Sequence, residues 1–382
     1  MPVSTRPVRD SSRAVARRPA RRTIAPPVLV RQLRNGIEES AHRGDVVEVD
    51  QSGRIVRALG DPERLTTLRS AVKPFGLVAL LEAGAEQAFG LEPSEIAIMV
   101  ASHSGEDLHV RTLQALYRRT GISQQFLGCG TADAPLDELT AARLARDGER
   151  PGPIRHNCSG QHSAFLLMAK LGGWSPVEYW ADDHPTQVAL RDAVARAFRT
   201  SPSRLVSGID NCGIATFAFP LREIAWAFAM LGDPDSIPAD DPRSKLAGPY
   251  RTIRDAMMAF PELVGGTHDR LDTSLMKALP GRVVAKGGAE ALRGVGVLPG
   301  ARGVGAFAPA TGLALKVEDG DAAGRAASAA LVDALRQAGV LDGQPLRSLA
   351  RYHRPLTMDS HGRVAAEAIA DFELAPIGEL VR

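Results

Sequence analysis

Apolar and polar residues alternate along residues 46–60, VVEVDQSGRIVRALG, on both sides of a short polar turn at residues 50–53. A period of two is typical of half-buried strands, so this segment predicts a β-hairpin. Strand patterns return in residues 281–287 and 304–320, and a Pro-Ala-Thr-Gly turn in the second of these predicts another hairpin. Strand-forming sequence therefore occurs in both halves of the chain.

The spacing of apolar residues becomes helical between residues 107 and 270. Helices are predicted near residues 107–119, 161–171, 185–199, 220–231 and 244–260, and a later one at residues 321–338. The pattern predicts a mixed α+β fold, in which an antiparallel sheet is flanked by helices and interrupted by an inserted helical region. We expect residues 28–382 to form one unit, with a sheet subdomain (28–106 and 271–382) and a helical subdomain (107–270).

Residues 1–27 differ from the rest of the chain in their charge. They carry seven arginines and one acidic residue, a charge of +6, which leaves −4 for the remainder of a chain whose net charge is +2. Such a segment is expected to be disordered. We find no apolar stretch typical of a secretion signal or a membrane span. Three cysteines without disulfide spacing indicate a reducing environment, so we expect a cytoplasmic protein. We also expect it to bind neither membranes nor nucleic acid.

A helix predicted at residues 70–89 opens with the motif Ser70-Ala-Val-Lys73 followed by Pro74. Proline is tolerated in a first turn but not further in, so the helix must begin close to Ser70. Two interpretations of the serine are open. It is either a helix N-cap or a nucleophile whose proton passes to a neutral lysine three residues along the same face. The motif alone does not decide, because it recurs at Ser274 and Lys277.

A second candidate serine and a second candidate lysine each follow an apolar run. Residues 96–106, IAIMVASHSGE, predict a buried strand that ends in a polar turn at Ser102, and such turns often display reactive side chains. Lys286 ends another predicted strand, and the two glycines after it permit a close approach to the backbone. The chain has only six lysines against forty arginines, and only lysine can lose its proton to act as a base.

Cys158 and Cys212 both follow an asparagine, in the loops HNCSGQH and DNCG. Cys158 directly precedes a predicted helix, whose N-terminus favours a thiolate. Two thiolates close to Asp210 or His162 would suit zinc. The alternative is that both cysteines are inert and buried, and that His162 is a hydrogen-bonded core or capping residue.

The segments HRGDVVEV, LRSAVKPFG, ASHSGE, HNCSGQH, GIDNCG, DTSLMKALPGRVVAKGGAE and GVG occur in this order along the chain. In that order and spacing, from about residue 29 to 380, the sequence resembles the rhizobial-type thermolabile L-asparaginases. The resemblance implies a fold like that of serine β-lactamases, penicillin-binding transpeptidases and serine glutaminases. It also implies hydrolysis of L-asparagine to L-aspartate and ammonia through an acyl-enzyme and, by analogy, a homodimer.

Carried over position by position, the resemblance implies that Ser70 is the nucleophile and that Lys73 is its partner. It implies that Ser102 and Lys286 form a second Ser-Lys pair, which relays protons to the leaving ammonia. The serine of the second Ser-x-x-Lys motif, Ser274, falls at a position without a catalytic role.

The resemblance also assigns binding and metal positions. The substrate-binding positions are Arg69, His162 and Asp210, and Asp210 lies beside a zinc ion held by Cys158 and Cys212. This sequence departs from the family at Gln161, where the family has a lysine three residues after the first cysteine. An amide oxygen is a weak zinc ligand, so we expect a loose site completed by water or Asp210, or no zinc at all.

Two alternatives to an asparaginase remain open. Another serine amidohydrolase, such as a glutaminase or a β-lactam-binding enzyme, would use the same serines and lysines. A non-catalytic zinc or thiol sensor would depend instead on Cys158 and Cys212. The complete set of two serines and two lysines favours an enzyme.

Overall fold

The computed structural model describes residues 25–132, 134–302 and 308–377. Most of the predicted disordered tail, residues 1–24, lies outside this part of the chain. The strands are β1 (Val28–Arg34), β2 (Ile37–Asp50), β3 (Ile55–Leu59), β4 (Leu65–Thr67), β5 (Val206–Ile209), β6 (Ala215–Pro220), β7 (Val283–Gly287), β8 (Leu292–Val297), β9 (Thr311–Val317), β10 (Leu356–Met358) and β11 (Val364–Ala370). The helices are α1 (Lys73–Glu82), α2 (Ala85–Phe89), α3 (Pro93–Met99), α4 (Asp107–Thr120), α5 (Glu138–Arg146), α6 (Ser159–Gly172), α7 (Pro185–Ala197), α8 (Leu221–Gly232), α9 (Ala247–Ala259), α10 (Pro261–Val264), α11 (Leu271–Ala278), α12 (Arg325–Gln337), α13 (Gly343–Ser348) and α14 (Ala350–His353).

The main sheet is antiparallel and has the strand order β10-β11-β1-β2-β9-β8-β7, with β3 also paired to β2. Its long strand β2 pairs with β1 in its first half and with β3 and β9 in its second half. The hairpin predicted at residues 46–60 is therefore confirmed. A small second sheet has the order β4-β6-β5. These features confirm the mixed α+β fold with an antiparallel sheet flanked by helices.

The strand predicted at residues 96–106 is wrong, because its apolar run forms the end of helix α3. The helix begins with a capping box, in which the Glu92 amide donates to the Glu95 carboxylate at 2.9 Å. A short run that is apolar throughout has no period that separates a buried strand from a buried helix. The predicted polar turn does follow the run, and it holds Ser102.

The hairpin turn predicted around Pro-Ala-Thr-Gly is also wrong in the part that the structure describes. Thr311 and Gly312 are the first residues of β9, which pairs with β2 and β8; residues 303–307 lie outside the described ranges. A side chain at Gly312 would clash with the carbonyl oxygen of Ala225 in α8. This glycine therefore lets α8 pack directly on the sheet, and the turn signal was misleading.

Helix α8 thus packs on β8 and β9, although it comes from the predicted helical subdomain. The proposed division into a sheet subdomain and a helical subdomain stays a prediction. In the described ranges, no helix is both long enough and apolar enough to cross a membrane.

Aromatic packing anchors helix α1, which carries Lys73. Phe75 is completely buried, and its ring meets those of Phe198, Phe228 and Tyr250 edge to face, with centroids 5.4, 5.3 and 6.1 Å away. Truncating such a residue to alanine typically costs about 3–5 kcal/mol of stability. The start of α1 is therefore held firmly between α7, α8 and α9.

Candidate active site

Ser70 lies in a 3-10 turn, Arg69–Val72, that leads directly into α1. Lys73 is the first residue of α1, and Pro74 lies in its first turn, as the motif predicts. The Ser70 hydroxyl is not a helix cap, because neither this turn nor α1 has a side-chain cap hydrogen bond. Ser70 is only partly buried, and within the described residues its hydroxyl makes no side-chain hydrogen bond.

This turn is held tightly against the end of β7. A side chain at Gly288 would clash with the carbonyl oxygen of Leu68, which confirms that the glycines after Lys286 permit a close approach. Arg69 has a positive φ of 47°, and its amide donates to the Thr216 hydroxyl at 2.9 Å. Such a conformation costs a non-glycine residue about 1–3 kcal/mol and persists only where the surroundings impose it.

The two suspected lysines converge on the Ser102 hydroxyl. Lys286 Nζ lies 2.9 Å from Ser102 Oγ, and Lys73 Nζ lies 3.3 Å from it. Lys73 also donates to the Ala101 carbonyl oxygen at 2.6 Å. Within the described residues, no hydrogen bond joins Lys73 Nζ to Ser70 Oγ. The structure thus brings Ser102 and both lysines into one network and leaves Ser70 beside it.

Burial makes Lys286 a much weaker base than an ordinary lysine. Its side chain is 1% exposed, and this desolvation lowers its pKa from 10.5 to about 7, although the nearby Asp272 carboxylate acts in the opposite direction. A large fraction of the Lys286 amine is therefore uncharged near neutral pH. An uncharged amine can accept a proton during a reaction.

Cys158 and Cys212 are buried neighbours whose thiols interact. Their hydrogen bond favours the Cys158 thiolate and, aided by Lys73 Nζ at 3.2 Å from Cys158 Sγ, holds the pKa of Cys158 well below its usual value. The same interaction, together with burial, raises the pKa of Cys212. The pair therefore resembles one thiolate and one thiol beside a lysine amine.

These thiols alone do not complete a zinc site. In the part of the chain that the structure describes, no carboxylate, imidazole or third thiol has a ligand atom within 4.8 Å of both sulfurs. Gln161 is buried nearby but offers only an amide. Structural zinc requires four ligands in a tetrahedron, which these donors do not supply, so of the two expectations that the sequence leaves open we carry forward a zinc-free protein as the prediction.

We therefore expect protein prepared without added metal to hold far less than one zinc per chain. Chelation should leave its activity unchanged, because among the described residues no third thiol, imidazole or carboxylate joins the two thiols to retain the ion. Elemental analysis before and after dialysis against a chelator checks this, with Cys212→Ser as the variant that removes a thiol. One zinc per chain that survives dialysis and is lost in Cys212→Ser would contradict the expectation.

Arg69 and Asp210 form an ion pair at the edge of this network. Arg69 Nε lies 2.9 Å from Asp210 Oδ1, which also accepts the Asn211 amide at 2.7 Å. His162, in contrast, is completely buried, with Nδ1 2.6 Å from the Tyr179 hydroxyl. Burial lowers the pKa of His162 to about 3, so its ring is neutral. Arg69 and Asp210 thus pair next to Ser70, whereas the buried His162 ring lies close enough to Cys158 and Lys73 for their charges to act on its pKa.

Sequence reasoning missed two residues at the start of α11. Arg270 Nη2 donates to the Ser102 carbonyl oxygen at 2.5 Å, and the Gly287 amide donates to Asp272 Oδ2 at 2.8 Å. Both lie in or just before the segment DTSLMKALPGRVVAKGGAE, which sequence analysis singled out for its resemblance only. An acidic residue such as Asp272 is common in the first turn of a helix, so its type carried no further signal, and the partner of Arg270 is set only by the fold.

The chain is an amidohydrolase of mixed α+β fold, as its family membership and its network of serine and lysine side chains indicate together. The family model described as L-asparaginase II matches residues 30–369. The chain therefore belongs to the L-asparaginase II family, which confirms the family resemblance found in the sequence.

Solved structures with a similar chain path include a probable glutaminase from Bacillus subtilis complexed with 6-diazo-5-oxo-L-norleucine. It is 12% identical, with a TM-score of 0.37 over 77% of this chain and 84% of that one. Another is Mglu in its tris and glutamate form, 16% identical, with a TM-score of 0.36 over 83% of this chain and 64% of that one. No curated protein matches the chain at a significant level.

Proposed function

We propose that the protein hydrolyses the side-chain amide of L-asparagine to L-aspartate and ammonia. The observation that carries this proposal is the convergence of two buried lysine amines on Ser102, beside the uncommitted hydroxyl of Ser70, in a member of the L-asparaginase II family. Hydrolysis through an acyl-enzyme needs a nucleophile, a base for its proton and an acid for the leaving group. These side chains supply all three.

In the first step Ser70 attacks the carboxamide carbon, and Lys73 accepts the proton of its hydroxyl. Lys73 directly follows the 3-10 turn that holds Ser70, and rotation of its long side chain moves Nζ from the Ala101 carbonyl to Ser70. In this proposal main-chain amides near Ser70 stabilise the developing oxyanion, but the first two residues of α1 are not among them, because the Lys73 amide donates to the Ser70 carbonyl oxygen and Pro74 has no N–H. The product of this step is a tetrahedral intermediate, which becomes the acyl-enzyme on Ser70 when its C–N bond breaks and ammonia leaves.

Ser102 then carries the proton onward to the leaving ammonia. Its hydroxyl touches Lys73 and Lys286, so it relays a proton between the two amines. Lys286 is suited to this exchange because its pKa lies near 7, where it gains and loses a proton with equal ease. Water attacks the acyl-enzyme in the second half of the reaction, and the same network removes the proton of the water.

Arg69 and Asp210 recognise the zwitterionic end of the substrate. The guanidinium binds the α-carboxylate, and the Asp210 carboxylate binds the α-ammonium. His162 stays the third predicted substrate-binding residue; its ring is buried, and Nδ1 lies 2.6 Å from the Tyr179 hydroxyl. We also propose a homodimer, which the resemblance supports, and a cytoplasmic location, which the three cysteines without disulfide spacing support.

Ammonia release from asparagine, glutamine and a chromogenic β-lactam, measured side by side, tests the substrate assignment. We expect kcat/KM to be largest for asparagine, because the family to which the chain belongs is described as L-asparaginase II. Faster turnover of glutamine would support a glutaminase instead. Hydrolysis of the β-lactam alone would overturn the proposed substrate class.

A further inference from the structure

The start of helix α11 is tied to both partners of the Ser102–Lys286 pair. Arg270, just before the helix, donates to the carbonyl oxygen of Ser102 at 2.5 Å. Asp272, in its first turn, accepts the amide of Gly287 at 2.8 Å. Gly287 directly follows Lys286, and its carbonyl oxygen in turn accepts from Lys286 Nζ at 2.8 Å. The first turn of α11 and the residue before it therefore hold the backbone at Ser102 and at Gly287, next to the two side chains of the Lys286–Ser102 hydrogen bond.

The main contact of Asp272 is its hydrogen bond with the Gly287 amide and not a close ion pair. Its side chain is 14% exposed, and the nearest guanidinium that forms an ion pair with it, that of Arg293, is 3.9 Å away. A surface helix cap would be more exposed, and a structural ion pair would be shorter. The Asp272 carboxylate instead lies beneath the end of β7, close enough to Lys286 to act on its charge.

We propose that Asp272 is a positioning residue that holds the Lys286 amine against Ser102 Oγ through the Gly287 backbone, while Arg270 holds Ser102 from the same turn. This inference rests on the proposed function, because it assigns Lys286 and Ser102 to proton transfer. Asp272 does not touch the reacting atoms.

The charge of Asp272 affects the pKa of Lys286, which a residue with a purely structural role would not change. The charged groups around Lys286 are Asp272 and Arg270 at α11, Lys73 in α1, Cys158 before α6 and Arg293 in β8, which is paired with β7. Asp272 is the main group among them that favours the charged amine, and the Cys158 thiolate adds to it. Removing the Asp272 charge therefore lowers the pKa of Lys286 below 7.

The test is Asp272→Asn, which keeps an acceptor for the Gly287 amide but removes the charge. Lysines labelled with ¹³C at Cε are titrated by NMR; the chain has only six, and Lys286→Met assigns the signal. We expect the Lys286 midpoint to move down by about one pH unit, as for loss of a nearby opposite charge. The acid limb of kcat against pH should move with it. Ser274→Ala, in the same helix, is the matched control and should move neither.

Asp272→Ala removes the acceptor as well, and we expect kcat to fall by about a hundredfold with little change in KM, because a misplaced amine loses its alignment. Should Asp272→Asn fold poorly, Asp272→Ser is titrated in the same way. An unchanged Lys286 midpoint in a folded variant overturns the proposal. Since the NMR titration does not depend on turnover, wild-type protein inactive on asparagine would refute the proposed function without deciding the role of Asp272.

Discussion

Replacing Ser70 with alanine is expected to abolish ammonia release from asparagine, with kcat lowered by at least about a thousandfold. The proposed acyl-enzyme forms on this hydroxyl, and no other group at the start of α1 can take its place. Stability should not change, because the Ser70 hydroxyl caps neither the 3-10 turn nor α1. Steady-state kinetics and thermal unfolding of the same preparation measure both effects.

The chain offers a matched control for this experiment in its second Ser-x-x-Lys motif. Ser274 contacts the Tyr352 hydroxyl at 3.0 Å, and Lys277 lies at the surface beside Glu262. Ser274→Ala should therefore keep full activity. If Ser70→Ala retained turnover, the nucleophile would have to be Ser102, which already touches both lysines, and Ser102→Ala would then be the inactive variant.

Helices and strands in which apolar and polar residues alternate regularly were predictable from the sequence, whereas segments that are apolar throughout were not. The amphipathic helices α4 and α7 lie within a few residues of their predicted bounds, because a polar face marks where each helix meets solvent. The run at residues 96–101 is buried on all sides, so it carries no such mark and was mistaken for a strand. At Gly312 the sequence predicts a turn, because glycine is common in turns. The sequence does not show that the glycine instead makes room for the α8 backbone.

The side chains of the candidate site were identifiable by type, but their pairing was not. The hydrogen bond between Lys286 and Ser102 spans 184 residues, and only the fold creates it. Sequence spacing suggested that Lys73 meets Ser70, whereas its amine lies on Ala101 and Ser102 in the structure. Asp272 gave no signal at all, because its role depends on the Gly287 amide in another strand.

Replacing Lys286 with methionine is expected to lower kcat by about 10²–10⁴-fold, the usual contribution of a positioned acid or base. Methionine fills the same space without an amine, so the proton relay through Ser102 ends there. Lys286→Arg should be equally inactive, since arginine keeps the charge but cannot lose its proton. Lys277→Met is the control on a surface lysine, whose side chain is 54% exposed.

In the wild type, activity should rise with pH through about 7 as Lys286 loses its proton.

The same substitution should not destabilise the protein, and this separates catalysis from folding. The pKa of Lys286 falls from 10.5 in the unfolded chain to about 7 in the fold, so the unfolded state binds more protons between these values. Burial of the charged amine therefore lowers the free energy of unfolding by its full amount below about pH 7. This cost decreases as the pH rises from 7 to 10.5, and it is absent above pH 10.5. We expect Lys286→Met to unfold at a temperature equal to or above that of the wild type at pH 6, with the difference shrinking toward pH 10. A large loss of stability at pH 6 would mean that the amine holds the fold together, and the kinetic loss could then not be assigned to proton transfer.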